Sequence, residues 1–175
     1  MSQMLANLRA RREDERGFTL IELMVVVLII AILIAIAIPT FLGAKTRAQD
    51  KAAQSSLRNA LTNAKGIYTD SDSYTPADST ALLAAEPSLT FGTSATASTG
   101  QKNVSVNNNA TYIVMTALSS SGTCYAIADW NTGGTFFAKI TGGCSGSNAA
   151  TAAGSAVPTA PATTATANNT WSSAW

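Results

Sequence analysis

The chain has 175 residues, 12% charged and 46% hydrophobic, with 11 Lys and Arg against 10 Asp and Glu, two Cys and no His. A net charge of +1 lacks the electrostatic footprint of a dedicated nucleic-acid binder. Without His there is almost no material for a zinc site or a histidine-dependent triad, which disfavours catalysis.

Residues 1–17 are polar, with Arg9, Arg11, Arg12 and Arg16 set against Glu13, Asp14 and Glu15. From Phe18 to Ile38 every position except Thr19 and Glu22 is apolar. As a helix this run is about 31 Å long, the thickness of a hydrocarbon core of roughly 30 Å. Its apolar side chains each favour insertion by about 0.3–0.6 kcal/mol, which together outweigh one acid at about 2.5–3.5 kcal/mol. The run is too long for an ordinary secretory signal and is followed by Pro39, Thr40 and Phe41 rather than by a small-residue cleavage site. It therefore predicts a helix that enters a membrane. Basic residues lie on both sides of it, so the positive-inside count only weakly favours a cytoplasmic N-terminus.

After Pro39 the helical pattern continues in more polar form. Ala53, Leu57, Ala60, Leu61, Ala64 and Ile67/Tyr68 recur at the spacing of one helix face. A proline bends a helix without necessarily ending it. The pattern predicts one long kinked helix from Phe18 to about Lys65, stopped by Gly66 and the polar run Thr69–Ser73.

Residues 74–100 show little periodicity and suggest a loop with one short helix near Thr80–Ala85. Four strands are then expected: Lys102–Val106, Thr111–Leu118, Cys124–Trp130 and Thr135–Ile140. The connections between them are short and rich in Asn, Ser and Gly, which permits only antiparallel neighbours. The apolar face of the helix is the natural cover for one side of this sheet. Residues 145–175 hold no charge and are mostly Ala, Ser and Thr. Such a composition buries too little apolar area to offset its ordering entropy, so mobility is expected there, with Trp171 and Trp175 able to dock the end. The fold class is α+β: a long kinked helix, its first half transmembrane, on a small antiparallel sheet of about four strands, with a flexible tail.

The sequence from Arg16 to Pro39, RGFTLIELMVVVLIIAILIAIAIP, resembles the class III signal and N-terminal helix of the type IV pilin family. The likeness covers Arg16–Tyr68 well and the rest only in architecture. It implies a leader, 1–17, removed between Gly17 and Phe18 by a membrane prepilin peptidase that also N-methylates Phe18. It implies an apolar assembly helix, 18–39, an amphipathic half, 40–68, a head, 69–144, and a tail, 145–175. It further implies an inner-membrane precursor assembled by a platform and an ATPase into a homopolymeric helical filament on the cell surface, with Glu22 and Pro39 in the assembly helix. Val27–Ile34 contains no glycine, so any loosening of the helix on assembly rests on Pro39 and Gly43.

Glu22 can be argued without the family. A lone carboxylate in an apolar helix needs a partner or a proton, and no Lys or Arg lies between Gly17 and Lys45. Cleavage before Phe18 creates an α-amine with a reference pKa of about 7.7–8.0. Pairing with Glu22 of the same chain satisfies the charge without assembly, whereas pairing with Glu22 of an adjacent chain sets an axial register. The plainer reading is an acid tolerated near a helix N-terminus.

Cys124 and Cys144 follow the span, hence lie outside the cytoplasm if the N-terminus is inside, and one disulfide is the expected state, as in many pilins. Two free thiols is the alternative, and the spacing is not that of a C-x-x-C redox pair. Asp70-Ser71-Asp72 with Asp78 lacks the third acid and the Gly of an EF-hand loop, so a solvated turn is expected rather than calcium. Asn103, Asn109 and Asn168 fit the N-glycosylation pattern by composition. Tyr112, Tyr125, Trp130, Phe136 and Phe137 suit sheet packing. The head has two Lys against five acids, a balance that repels phosphate backbones. The residues call for no metal, cofactor or catalytic site. The expected function is a pilus subunit serving adhesion, motility or DNA uptake. A minor pilin or a secretion or competence pseudopilin is the alternative, and a non-polymerising membrane-anchored binding module is a further one.

Overall fold

A computed structural model of the protein describes residues 17–140, 143–153 and 171–175. The expected leader, apart from Gly17, and positions 154–170 of the expected tail lie outside the described residues. The chain divides into two units, Met1–Ala44 and Lys45–Trp175.

Helix α1 runs over Leu20–Ser71 with Pro39 inside it. Pro39 has no N–H to donate, and the next residue adds contacts at this turn: the Thr40 hydroxyl donates to the Ile36 and Ala37 carbonyls at 3.2 and 2.9 Å. In the first unit the apolar side chains face outward, from Phe18 (84% exposed) to Leu42. In the second unit Ala53, Leu57, Ala60, Leu61 and Ala64 are buried, the predicted stripe.

The expected stop at Gly66 is not used, and α1 continues to Ser71. A mid-helix glycine costs about 1 kcal/mol. The extra turn is held because Ile67 and Tyr68 pack on the core, with the Tyr68 ring 4.6 Å from that of Tyr74. Asp72, at φ 51°, takes the left-handed conformation just beyond the helix. Helix α2, Ser79–Ala85, is capped by Asp78, whose Oδ1 accepts from the Thr80 and Ala81 N–H groups.

The sheet has five strands in the order β1-β2-β3-β4-β5: Thr90–Gly92, Asn103–Asn108, Tyr112–Leu118, Cys124–Trp130 and Gly134–Ile140. The last four form the expected antiparallel meander, with Met115 opposite Ile127 and Ile127 opposite Phe137. Gly122 (φ 90°) and Gly134 (φ 85°) supply the left-handed turn positions. The expected count of four strands is corrected to five, because three-residue β1 adds itself parallel to β2.

Alternation divides the core by sheet face. Val104, Val106, Ile113, Met115, Ala117, Tyr125 and Ile127 join the α1 stripe. Val114, Cys124, Ala126, Ala128, Trp130, Ala138 and Ile140 form a second cluster with Cys144 and Ala149. This second face is covered by helix α3, Gly146–Ala153, packed on β2 and β3, so the expectation of mobility from residue 145 fails for this stretch. The physical reason is a close approach. A Cβ on Gly146 would sit 2.8 Å from the Asn107 nitrogen, and the Gly146 N–H donates to Ser105 Oγ at 2.8 Å. At the end of the chain, Ser172 forms an antiparallel bridge with Phe137 of edge strand β5. Trp171 meets Trp130, and Trp175 meets Tyr125 and Phe137, so the expected docking of this end is seen.

Candidate assembly site

Glu22 sits at the third position of α1. One of its oxygens, Oε2, accepts the Thr19 N–H at 3.0 Å and the Thr19 hydroxyl at 2.9 Å, while the Glu22 N–H donates to Thr19 Oγ1 at 3.2 Å. This reciprocal arrangement is a capping box, which satisfies N–H groups that a helix start otherwise leaves open. The T-x-x-E spacing of Thr19 and Glu22 is visible in the sequence, yet reading Glu22 as an isolated acid misses it. The second carboxylate oxygen, Oε1, has no partner among the described residues. Gly17 and Phe18 precede the cap and are exposed. These three residues therefore share one end of the helix. Pro39, 17 positions after Glu22, lies about 25 Å further along the axis and does not join them. The helix is long and apolar enough to cross a membrane.

In the second unit, two carboxylates tie α1 to the sheet. Ser121 in the β3–β4 turn donates its hydroxyl to Asp50 Oδ1. Burial pushes the Asp50 carboxyl up, but hydrogen bonds from Ser121, Ser119 and Tyr125 and the charge of Lys139 outweigh it and hold the group below its ordinary value. Asp129, on β4, is 5% exposed. It accepts from the Tyr74 hydroxyl at 2.5 Å and from Lys65 at 2.8 Å, and it also accepts from the Thr135 hydroxyl. Burial first, and then the hydrogen bond and charge of Asp129, push the Tyr74 phenol far above its ordinary value. Nothing in the one-dimensional pattern marks Asp129 as the buried partner of Lys65, since 64 positions separate them.

Cys124 and Cys144 are joined by a disulfide with Cα atoms 5.5 Å apart, which fixes the start of β4 to a point two residues before α3. Asp78, weighed above for calcium, caps α2. Among the described residues no group of three or more His, Cys, Asp or Glu is gathered that would hold a metal ion.

Residues 13–38 fit the family model described as the prokaryotic N-terminal methylation motif. No curated protein and no solved structure gives a significant match. The motif carries with it processing by a prepilin peptidase and pilus assembly, and the exposed apolar helix behind it accords with membrane anchoring. Residues 13–38 therefore carry the N-terminal methylation motif, the class III signal of the type IV pilins.

Proposed function

We propose that the protein is a structural, non-catalytic subunit, cut between Gly17 and Phe18, N-methylated on Phe18, held in the inner membrane by residues 18–39 and polymerised into a type IV pilus. The observation that carries this reading is the outward-facing apolar surface from Phe18 to Leu42, directly behind the methylation motif. A surface of that extent needs lipid or other copies of itself. Exchange of lipid contact for bundle contact is the route from membrane to filament, and the filament extends to serve adhesion, motility or DNA uptake.

Glu22 sets the register. Thr19 occupies Oε2, which leaves Oε1 to accept the Phe18 amine of an adjacent copy. In a low-dielectric bundle this attraction is much stronger than in water, though desolvation offsets a large part of it.

Mass spectrometry of filaments sheared from cells tests the reading. A chain starting at N-methylated Phe18 is expected. A chain that starts at Met1 or Ser2, or is missing from the sheared fraction, overturns the pilus subunit in favour of a membrane-anchored module.

A further inference from the structure

Charge in the second unit is sorted by segment. From Lys45 to Lys65, α1 carries Lys45, Arg47, Lys51, Arg58 and Lys65 against the single acid Asp50. From Asp70 to Glu86 the chain carries Asp70, Asp72, Asp78 and Glu86 and no Lys or Arg. Arg47, Lys51, Arg58 and Lys65 follow one another at spacings of four, seven and seven. At about 100° per residue, these spacings keep them within about 40° of one another, as a stripe of about 27 Å along the helix. All four are exposed.

The chain itself uses only part of this stripe. Lys65 pairs with Asp129, and the Arg58 guanidinium lies 5.7 Å from the centre of the Phe137 ring. Arg47 and Lys51 form no ion pair among the described residues, and neither do the four acids. One of the acids is also poorly placed for a lone chain. Asp70 is in the last turn of α1, beside the negative pole of the helix, and that turn contains no base. A cation from outside the chain relieves that conflict.

We infer that the Arg47–Lys51 end of the stripe docks on the Asp70–Glu86 segment of a second copy. The inference rests on the polymerising reading above. The two surfaces are different patches of one chain, so the contact is heterologous. It leaves a free basic patch at one end and a free acidic patch at the other, the condition for an open helical polymer rather than a closed dimer. Arg47 and Asp70 are 23 positions apart on one helix, so copies in contact are offset by about 35 Å along it. Anionic lipid headgroups are the rival occupant of the basic residues. A headgroup layer is only about 5–8 Å thick on each side of the hydrocarbon, far shorter than the stripe, and it leaves the acids unanswered.

Charge reversal in the full-length chain tests the docking. One variant carries Arg47→Glu and Lys51→Glu. A second carries Asp70→Lys and Glu86→Lys, with Asp72 left unchanged because its left-handed backbone disfavours a long side chain. A third carries all four changes. Sheared filaments are measured against processed chain in the membrane, and the heads are checked by circular dichroism in detergent. Each pair alone is expected to lower filament yield at least tenfold at equal processed chain, and the fourfold variant to recover most of it. High salt is expected to lower wild-type assembly as well, because the Debye length falls to about 3 Å at 1 M. Wild-type yield in both pair variants overturns the docking and leaves the subunit reading standing. Loss without recovery in the fourfold variant overturns it too. If Arg47→Glu/Lys51→Glu only weakens binding to phosphatidylglycerol vesicles and spares assembly, the stripe faces lipid and the docking is wrong. A wild-type chain absent from sheared filaments sinks the subunit reading instead.

Discussion

Removal of the Asp129 carboxylate is expected to be the most damaging polar substitution in the head. That carboxylate has 7% of its surface in water and receives three donors: Tyr74 at 2.5 Å, Lys65 at 2.8 Å and Thr135. Asp129→Ala leaves the buried Tyr74 hydroxyl (1% residue exposure) without its acceptor, removes the Thr135 hydrogen bond and releases Lys65; at about 1.5–3 kcal/mol for each hydrogen bond to a charged group, the loss is about 3–5 kcal/mol. Tyr74→Phe removes one hydrogen bond to a charged group and costs about 1.5–3 kcal/mol. Lys65→Met is milder, below about 1 kcal/mol, because the lysine is 47% exposed and water already screens the pair. The expected order is therefore Asp129→Ala, then Tyr74→Phe, then Lys65→Met. Urea unfolding of the full chain in mild detergent, followed by tryptophan fluorescence, measures it, since all three Trp lie in the second unit. At about 1–3 kcal/mol per molar urea, the Asp129→Ala midpoint falls by roughly 1–5 M. A Lys65→Met variant as unstable as Asp129→Ala, or a Tyr74→Phe variant indistinguishable from wild type, refutes the ranking and with it the claim that a desolvated acid ties α1 to the sheet.

Replacing Cys124 and Cys144 together by Ser, or reducing them, is expected to cost about 3 kcal/mol for a loop of about 20 residues on the chain-entropy model; an unchanged urea midpoint would refute it. Gly146→Ala forces a Cβ to within 2.8 Å of the Asn107 nitrogen and is expected to cost about 1–3 kcal/mol, read as faster proteolytic cutting after Cys144 with the β2–β5 sheet retained. Stability should decline at both pH extremes. Asp50 is held low in the folded state, so its contribution is present above an unfolded pKa of about 3.9 and lost as pH falls through the folded value. Ser121→Ala should flatten that acid limb. Tyr68, Tyr74 and Tyr125 are raised on folding, so their contribution is present below about pH 10 and lost above it, and Tyr74→Phe should remove part of that alkaline limb. Glu22→Ala is expected to cut filament yield at least tenfold while processing at Gly17 continues, beyond a capping loss of about 0.5–2 kcal/mol; normal filaments would remove Glu22 as the register residue.

The legible parts of the fold share a physical cause. Cys124–Trp130 was readable because β-formers lie between turn residues, and the helix stripe because Ala53, Leu57, Ala60, Leu61 and Ala64 keep one period. The illegible parts depend on partners remote in sequence. Thr90–Gly92 is a strand only because β2 offers an open edge. Gly146–Ala153 has the composition of a solvated tail, and it orders because a disulfide holds its start and its first glycine fits against β2. Gly66 looked like a stop because its local cost was visible, whereas the packing of Ile67 and Tyr68 that outweighs it was not. At the helix start the reverse applied: the Thr19–Glu22 box is wholly local and lay in plain view.

The covalent link between Cys124 and Cys144 also decides how the head yields to force. A pull on Trp175 first peels Ser172 from Phe137 and then strips α3, until Cys144 takes up the load. There the tear halts, because the load passes through sulfur to the first residue of β4 instead of unzipping β5. A fibre built from such heads would let their C-terminal ends come loose under shear yet keep its sheets intact.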